Sequence, residues 1–338
     1  MPSRAQQIFK PEFRFGLGGV PLGNEFDKHT DEDAQATLTA AWAMGVRYYD
    51  VAPWYGLGLS ERRFGHFLHN QRREDYLLSS KVGKLLKASR TNGHAKMFPF
   101  SDSPNDLVID YTADGVRRSI EDSLQRLGVS HLDVAYVHDL SPDFAWFHTP
   151  WQEQYEIARK GAFPALSRMR DEGIIRAWGV GVNTPMAILK VIEDADPDVC
   201  LCARQYSLVE HANVLEQVAP AVRAKGVSLV IGSALNAGFL SGSPRYDYGA
   251  ENFRIPAEVL RKRERLRAVA TRHGVDLRTA ALQFSAAAPE AVALVVGARS
   301  AAQVQEDWNS TQAKIPPAFW DELRAEKLIE PTAPTPSA

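Results

Sequence analysis

Short apolar runs alternate with amphipathic stretches along almost the whole chain. Phe15 to Gly19, Arg47 to Ala52, Leu77 to Val82, Leu132 to His138, Ile174 to Val182, Leu201 to Leu208, Val227 to Gly232 and Ala291 to Gly297 read as strands. Their near-continuous Val, Ile and Leu content marks strands buried on both faces, as in a parallel sheet covered by helices. Between them, apolar positions recur at helical spacing. Val116, Ile120, Leu124 and Leu127 form one such face in the segment from Asp114 to Leu127. Thr30 with three following acids opens a helix that Gly45 closes, and Pro185 suits the first turn of another. Further helices are expected at 60–68, 161–171, 213–225, 258–273, 277–287 and 301–311.

Eight strand–helix units in one chain of 338 residues predict a closed (β/α)8 barrel of the TIM type, an α/β fold. The rival is an open doubly wound sheet. It lacks its fingerprint, because Phe15-Gly16-Leu17-Gly18-Gly19 fails at the third glycine of Gly-x-Gly-x-x-Gly. Residues 1–328 are expected to form the single barrel domain, and the Pro-, Thr- and Ala-rich residues 329–338 a flexible tail. Three loops are long: Gly83 to Tyr111, Asp139 to Lys160, and Asn236 to Ile255. Each carries aromatics: Phe98 and Phe100; Phe144, Trp146, Phe147 and Trp151; Tyr246, Tyr248 and Phe253. Loops of this length in a compact domain usually bind or cover something. In a barrel they overhang the carboxyl ends of the strands, where sites form.

Four polar residues stand at or just past three consecutive strand ends: Asp50 and Tyr55, Lys81, and His138. In a parallel barrel these ends share one face. Each residue has a structural alternative: a turn-capping carboxylate, a packed aromatic or a core histidine. Lys81 on an apolar strand resists such a reading, because lysine is rarely buried unpaired. Together the four make a tuned proton donor and acceptor. An ammonium beside a phenol stabilises the phenolate, a carboxylate holds the ammonium, and an imidazole orients the reacting oxygen.

Composition narrows the partners. A net charge of −2 gives no reason to expect nucleic acid or an anionic membrane, and no run approaches a membrane span. The two cysteines, Cys200 and Cys202, lie two apart on a strand and are poorly placed for a mutual disulfide. They read as buried thiols, and the location expected is the cytoplasm. A small-molecule substrate is the expected partner; oligomeric state is not encoded legibly.

The element Asp50-Val51-Ala52-Pro53-Trp54-Tyr55-Gly56, followed by Lys81 and His138 on the next two strands, resembles the aldo-keto reductases. The similarity runs from about Phe15 to Leu323. It includes Arg204-Gln205-Tyr206-Ser207-Leu208, the segment Gly226 to Leu240, and Val296-Gly297-Ala298-Arg299-Ser300 through Glu306-Asp307. The branch it looks most like is that of D-threo-aldose and pyridoxal dehydrogenases. This resemblance implies hydride transfer between a nicotinamide dinucleotide and a carbonyl or alcohol carbon. Tyr55 would be the acid/base, Lys81 its tuner, Asp50 the partner of Lys81, and His138 the orienting donor. The coenzyme would touch Gly18, Gly19, Asp50, Asn183, Gln205, Gly232, Ser233, Leu235, Gly238, Gly297, Arg299, Gln303 and Asp307. The substrate would meet Trp54, Tyr55, His138, Phe98 and Trp146.

The chain departs from the family at Gly232, where many members stack a tyrosine on the nicotinamide. It departs again at Gly297 and Gln303, where NADP-preferring members carry a lysine and an arginine. The expected coenzyme is therefore NAD rather than NADP, with an aldose or pyridoxal as substrate. The alternatives are a general NADPH-dependent aldehyde or ketone reductase, a metal-dependent hydrolase using His138, Asp139, His148 and His94, and a non-catalytic coenzyme-binding subunit.

Overall fold

A computed structural model describes residues 2–90, 98–246 and 255–336. Ten strands are present among these residues: β1 (Phe15–Gly18), β2 (Tyr48–Asp50), β3 (Leu77–Val82), β4 (Lys84–Ala88), β5 (Asn105–Ile109), β6 (Val134–His138), β7 (Ala177–Val182), β8 (Val199–Ala203), β9 (Ser228–Gly232) and β10 (Ala291–Gly297). Eight of them close into a barrel in the order β1-β10-β9-β8-β7-β6-β3-β2, every neighbour parallel. These are the eight strands that the apolar runs predict, and the fold is a (β/α)8 barrel. The open-sheet rival is excluded by the pairing of β1 with both β2 and β10.

Alternation along each strand sorts side chains between two cores. Tyr48, Leu77, Val134, Tyr136, Ala177, Val199, Leu201 and Val230 fill the barrel interior. Their sequence neighbours Tyr49, Leu78, Ala135, Val137, Cys200 and Cys202 face the surrounding helices. Both cysteines are free and buried, and burial pushes each thiol up to about 12. A short helix, Arg4–Ile8, capped by Ser3, packs Ala5, Ile8 and Phe9 into the interior cluster from the amino ends of the strands. Phe9 meets Tyr48 edge-on with centroids 5.2 Å apart. That end of the barrel is plugged, so chemistry is confined to the carboxyl ends.

Several features differ from expectation. The loop Gly83 to Tyr111 contains the antiparallel pair β4–β5, with Lys84 opposite Ile109. The loop Asp139 to Lys160 ends in the helix Trp151–Lys160. The strand expected over 201–208 is β8, offset to 199–203. It ends where Arg204 takes a left-handed φ of 68°. The helix expected over 213–225 begins as a wide turn at Val214–Val218 and turns α-helical only from Ala219. The described part of the expected tail, 329–336, is packed, with Ile329 and Ala333 buried along with the preceding Leu328. His211 Nε2 accepts a hydrogen bond from the Glu330 amide at 3.0 Å, and Arg324 donates to Ala333 O and Thr335 Oγ1. Three apolar side chains and a buried acceptor outweigh a composition that alone suggests fraying.

Truncation after Glu326 therefore removes core rather than tail. Burial of Leu328 and Ile329 alone is worth about 3 kcal/mol or more. Thermal or urea denaturation should show a loss of that order, and an unchanged transition would show that the segment contributes nothing.

Candidate active site

The interior alternation brings the opening residues of the site together. Asp50 ends β2 opposite Ser79, and Lys81 lies opposite Tyr136 on β6, one step below His138. Lys81 Nζ donates to Asp50 Oδ2 at 2.6 Å and to Val51 O at 3.0 Å. The two side chains are 1% and 4% exposed. Ser79 Oγ donates to the other carboxylate oxygen at 2.6 Å and lies 3.0 Å from the Tyr48 hydroxyl. A buried ion pair is tolerable only when its remaining hydrogen-bonding capacity is met, and Ser79 meets it. Ser79 and Tyr48 escape sequence reading because they matter only through strand register.

Tyr55 stands over this pair. Its ring centre is 4.7 Å from Lys81 Nζ, and it meets the His138 ring edge-on at 5.7 Å. Gly56 fixes the loop at this point. It has a left-handed φ of 62°, and an added Cβ would collide with the Gly23 carbonyl. The turn after β2 is thus clamped against the loop after β1. His138 is buried, and the Tyr111 hydroxyl donates to its carbonyl at 2.7 Å. Burial, together with the Lys84 and Lys81 charges, holds its imidazole well below the usual histidine range. Its buried Nδ1 has no partner among the described residues. The charged form of the His138 imidazole is thus disfavoured where it lies beside the phenol of Tyr55.

A cleft of about 430 Å³ leads away from Asp50 and Tyr55. Gly18, Gly232 and Val295 belong to its wall near the barrel centre; Ser233, Leu235 and Gly238 follow along the loop after β9. Gly297, Arg299, Gln303 and Asp307 line the far end. Gly19, Asn183 and Gln205 are not among the lining residues. Gly19 packs against Ser60, whose hydroxyl donates to its carbonyl at 2.8 Å. Asn183 and Gln205 lie just past the ends of the adjacent strands β7 and β8.

Sequence reading missed Arg245 and Arg278, which also line the cleft. Arg245 lies over the Phe26 ring at 4.4 Å, Arg278 pairs with Glu306, and Arg299 pairs with Asp27. Burial pushes the Asp307 carboxyl up to about 7, against the pull of Arg278. An elongated cleft with a glycine floor at one end and arginines and a carboxyl at the other fits an extended dinucleotide.

Aromatics crowd the opposite side of Tyr55. Trp54 is half-buried and meets Phe98 at 5.3 Å and Phe144 at 5.8 Å; Phe144 meets Phe147 at 4.9 Å. Phe98 is itself buried with Leu57 and Leu107, so it supports Trp54 rather than facing a ligand. Trp146 is 44% exposed. Tyr246 packs on Phe239, while Tyr248, Phe253 and His94 lie outside the described residues. His148 is exposed, and no cluster of three or more metal-ligating side chains occurs among the described residues.

Two charged residues were also overlooked. Lys84 Nζ is buried between the Trp54 and Phe144 rings, 4.1 and 4.0 Å from their centres, and pairs with Asp139. Glu25, in the loop after β1, is pushed up to about 8 by burial, against Arg245 and Lys84. Among the described residues, no helix is long and apolar enough to cross a membrane.

A closed barrel with a carboxylate, ammonium, phenol and imidazole at one mouth, opening on a dinucleotide-sized cleft, defines a class of barrel oxidoreductase. The chain belongs to the aldo/keto reductase family, whose profile matches residues 14–327. It is an oxidoreductase acting on CH–OH or C=O groups of small molecules with a nicotinamide coenzyme. It is 35% identical to D-threo-aldose 1-dehydrogenase of a Pseudomonas species, over 95% of this chain and 94% of that protein. It is 34% identical to pyridoxal 4-dehydrogenase of Microbacterium luteolum, over 93% and 94%. Among solved structures, an aldo-keto reductase from Bacillus halodurans in its holo form superposes with a TM-score of 0.70 at 22% identity, covering 94% of this chain and 92% of that one.

Replacing Lys81 by Met strands the Asp50 carboxylate in the interior and should cost about 3–5 kcal/mol. Urea unfolding of Lys81→Met against the double variant Lys81→Met/Asp50→Asn checks this. The double variant should regain part of the loss; equal stability of the two would mean that the pair is not electrostatically coupled.

Proposed function

We propose that this chain is an NAD-dependent dehydrogenase of a small cyclic substrate, an aldose or pyridoxal, oxidised at a hemiacetal or alcohol carbon. The observation that carries the reading is the Tyr55 ring held over the Lys81–Asp50 pair at the mouth of the cleft. Bound in that cleft, the coenzyme supplies the hydride acceptor. Tyr55, as the phenolate, takes the hydroxyl proton of the substrate as the carbon–oxygen double bond forms, and becomes a neutral phenol. The Lys81 ammonium stabilises the phenolate that accepts this proton, and Asp50 keeps that ammonium in place. His138, neutral, hydrogen-bonds the same oxygen and orients it. Trp54 and Phe144 offer ring faces to the flat side of a sugar or a pyridine. The two relatives named above act on substrates of these two kinds, by their names.

Coenzyme selection follows from the far end of the cleft. A side chain at Gly297 would press its Cβ to 2.9 Å from the Pro21 ring, so a phosphate-binding lysine has no room there. The Gln303 side chain already accepts from the Arg299 amide at 2.9 Å. Arg299 and Arg278 are each neutralised by an acid, and Asp307 supplies a further acceptor. That set suits ribose hydroxyls and disfavours a 2′-phosphate.

Two measurements test the reading. A panel of aldoses, pyridoxal and simple aldehydes, assayed by nicotinamide absorbance with either coenzyme, should give turnover with NAD on a cyclic substrate. Tyr55→Phe should lower kcat by about 10²–10⁴-fold while still binding coenzyme. A broad panel without turnover, or a fully active Tyr55→Phe, refutes it.

Asp307 ionises near neutrality, so its repulsion of a 2′-phosphate grows as pH rises through about 7. Fluorescence titrations should show the preference for NADH over NADPH increasing across that range in the native protein. In Asp307→Asn the preference should be smaller and should lose the component centred near that pH. An identical pH dependence in both proteins would remove Asp307 from coenzyme selection.

A further inference from the structure

The site contains a second buried cation that the proposed chemistry does not use. Lys84 begins β4, just past a turn at Gly83 whose φ is 96°. That turn sends Lys84 into the same mouth as Lys81. Its side chain is 1% exposed, its ammonium lies between two aromatic faces, and it pairs with Asp139. Asp139 follows His138 directly and adopts a left-handed φ of 49°, uncommon for a residue with a side chain. Its amide donates to Gly181 O at 2.9 Å and its carbonyl accepts from the Ser141 amide at 2.8 Å, which fixes this conformation. The result sets Asp139 Oδ2 3.5 Å from His138 Nε2 while the same oxygen meets Lys84.

A carboxylate at that distance from an imidazole ordinarily favours the imidazolium. We infer that Lys84 is a positioning residue that keeps His138 a neutral hydrogen-bond donor, by compensating the Asp139 carboxylate and so preventing it from drawing a second proton onto the ring. This rests on the reading of His138 as the group that meets the substrate oxygen. The groups around the imidazole are consistent with it. Lys81 faces it from β3, Lys84 from β4, Tyr55 from the loop after β2 and Asp139 from its own chain; Asp50 is already committed to Lys81. Asp143, near Lys84, and Glu25, in the loop after β1, act on Lys84 rather than on the ring. Asp139 is thus the one carboxylate within ion-pair distance of His138 among the described residues, and Lys84 is its partner.

The inference separates charge from packing. Nitrogen-15 NMR of labelled histidines, with His138 assigned through His138→Gln, reads the imidazole directly. In the native protein the His138 ring should titrate well below the usual histidine range. In Lys84→Met its midpoint should rise by about one unit or more. The kcat/KM profile should gain a break at that midpoint. Lys84→Gln keeps a hydrogen bond to Asp139 without the charge and carries the same expectation where Lys84→Met does not fold. Lys84→Met/Asp139→Asn, in which both charges are gone, should return His138 to its native behaviour. A folded Lys84→Met or Lys84→Gln whose His138 midpoint equals that of the native protein overturns the inference, as does a double variant that titrates like the single one. A native protein without turnover refutes the dehydrogenase reading, while the NMR titration still decides the role of Lys84.

Discussion

The buried pair of Lys81 and Asp50 is the constraint on which the site depends. Removing two charges from water costs several kcal/mol each, and only close, fully hydrogen-bonded geometry offsets it. That geometry exists because β2 and β3 are locked in one register by barrel closure, with Asp50 opposite Ser79. Slipping either strand by one residue would turn Asp50 or Lys81 outward, towards the helices. The ammonium is therefore not free to leave the underside of the Tyr55 ring. Its charge acts in a water-poor interior closed from below by Phe9 and the first helix, where a fixed charge is worth far more than in solvent.

A second cation in the same mouth would be costly unless it too were compensated. The structure resolves this by giving each lysine its own carboxylate, Asp50 for Lys81 and Asp139 for Lys84. Two ion pairs then bracket one imidazole, whose charged form is disfavoured by burial and by the two lysines. The same economy of charge recurs at the far end of the cleft, where Asp27 and Glu306 accompany Arg299 and Arg278. The mouth thus holds strong local fields with little net charge.

The barrel and the four polar residues were legible in the sequence because both depend on local pattern. Eight apolar runs at regular spacing specify the strands, and a polar residue at the end of such a run can only sit at a rim. What escaped depends on tertiary pairing. Lys84-Leu85-Leu86-Lys87-Ala88 shows no clean alternation, and its partner β5 lies 17 residues beyond its end, so Lys84 read as loop. Asp139 read as a candidate metal ligand, because nothing local reveals a lysine folded back onto it. Phe98 read as a binding aromatic, yet Leu57 and Leu107 bury it. Composition misjudged the residues after 328, where a few buried side chains matter more than the abundance of proline. The coenzyme residues at strand ends came from family resemblance; Asn183 and Gln205, just past the ends of β7 and β8, lie off the cleft lining.

The arrangement also bears on how substrate range and catalysis are coupled. Trp54 and Tyr55 are adjacent in one turn, which Gly56 clamps against Gly23. Trp54 also touches Phe98, Phe144 and the Lys84 ammonium. A change at Trp54 therefore disturbs Tyr55 directly and the His138 imidazole indirectly through Lys84. Phe144 and Phe147 sit on a separate loop, beyond Asp139, and share no backbone turn with Tyr55. Substitution of Phe147 can reshape the wall while the strand-end charges keep their register, whereas Phe144, like Trp54, also faces the Lys84 ammonium. The segment following β6 thus leaves the backbone turn of Tyr55 untouched, whereas the turn following β2 is tied to the Lys81–Asp50 pair that it overlies.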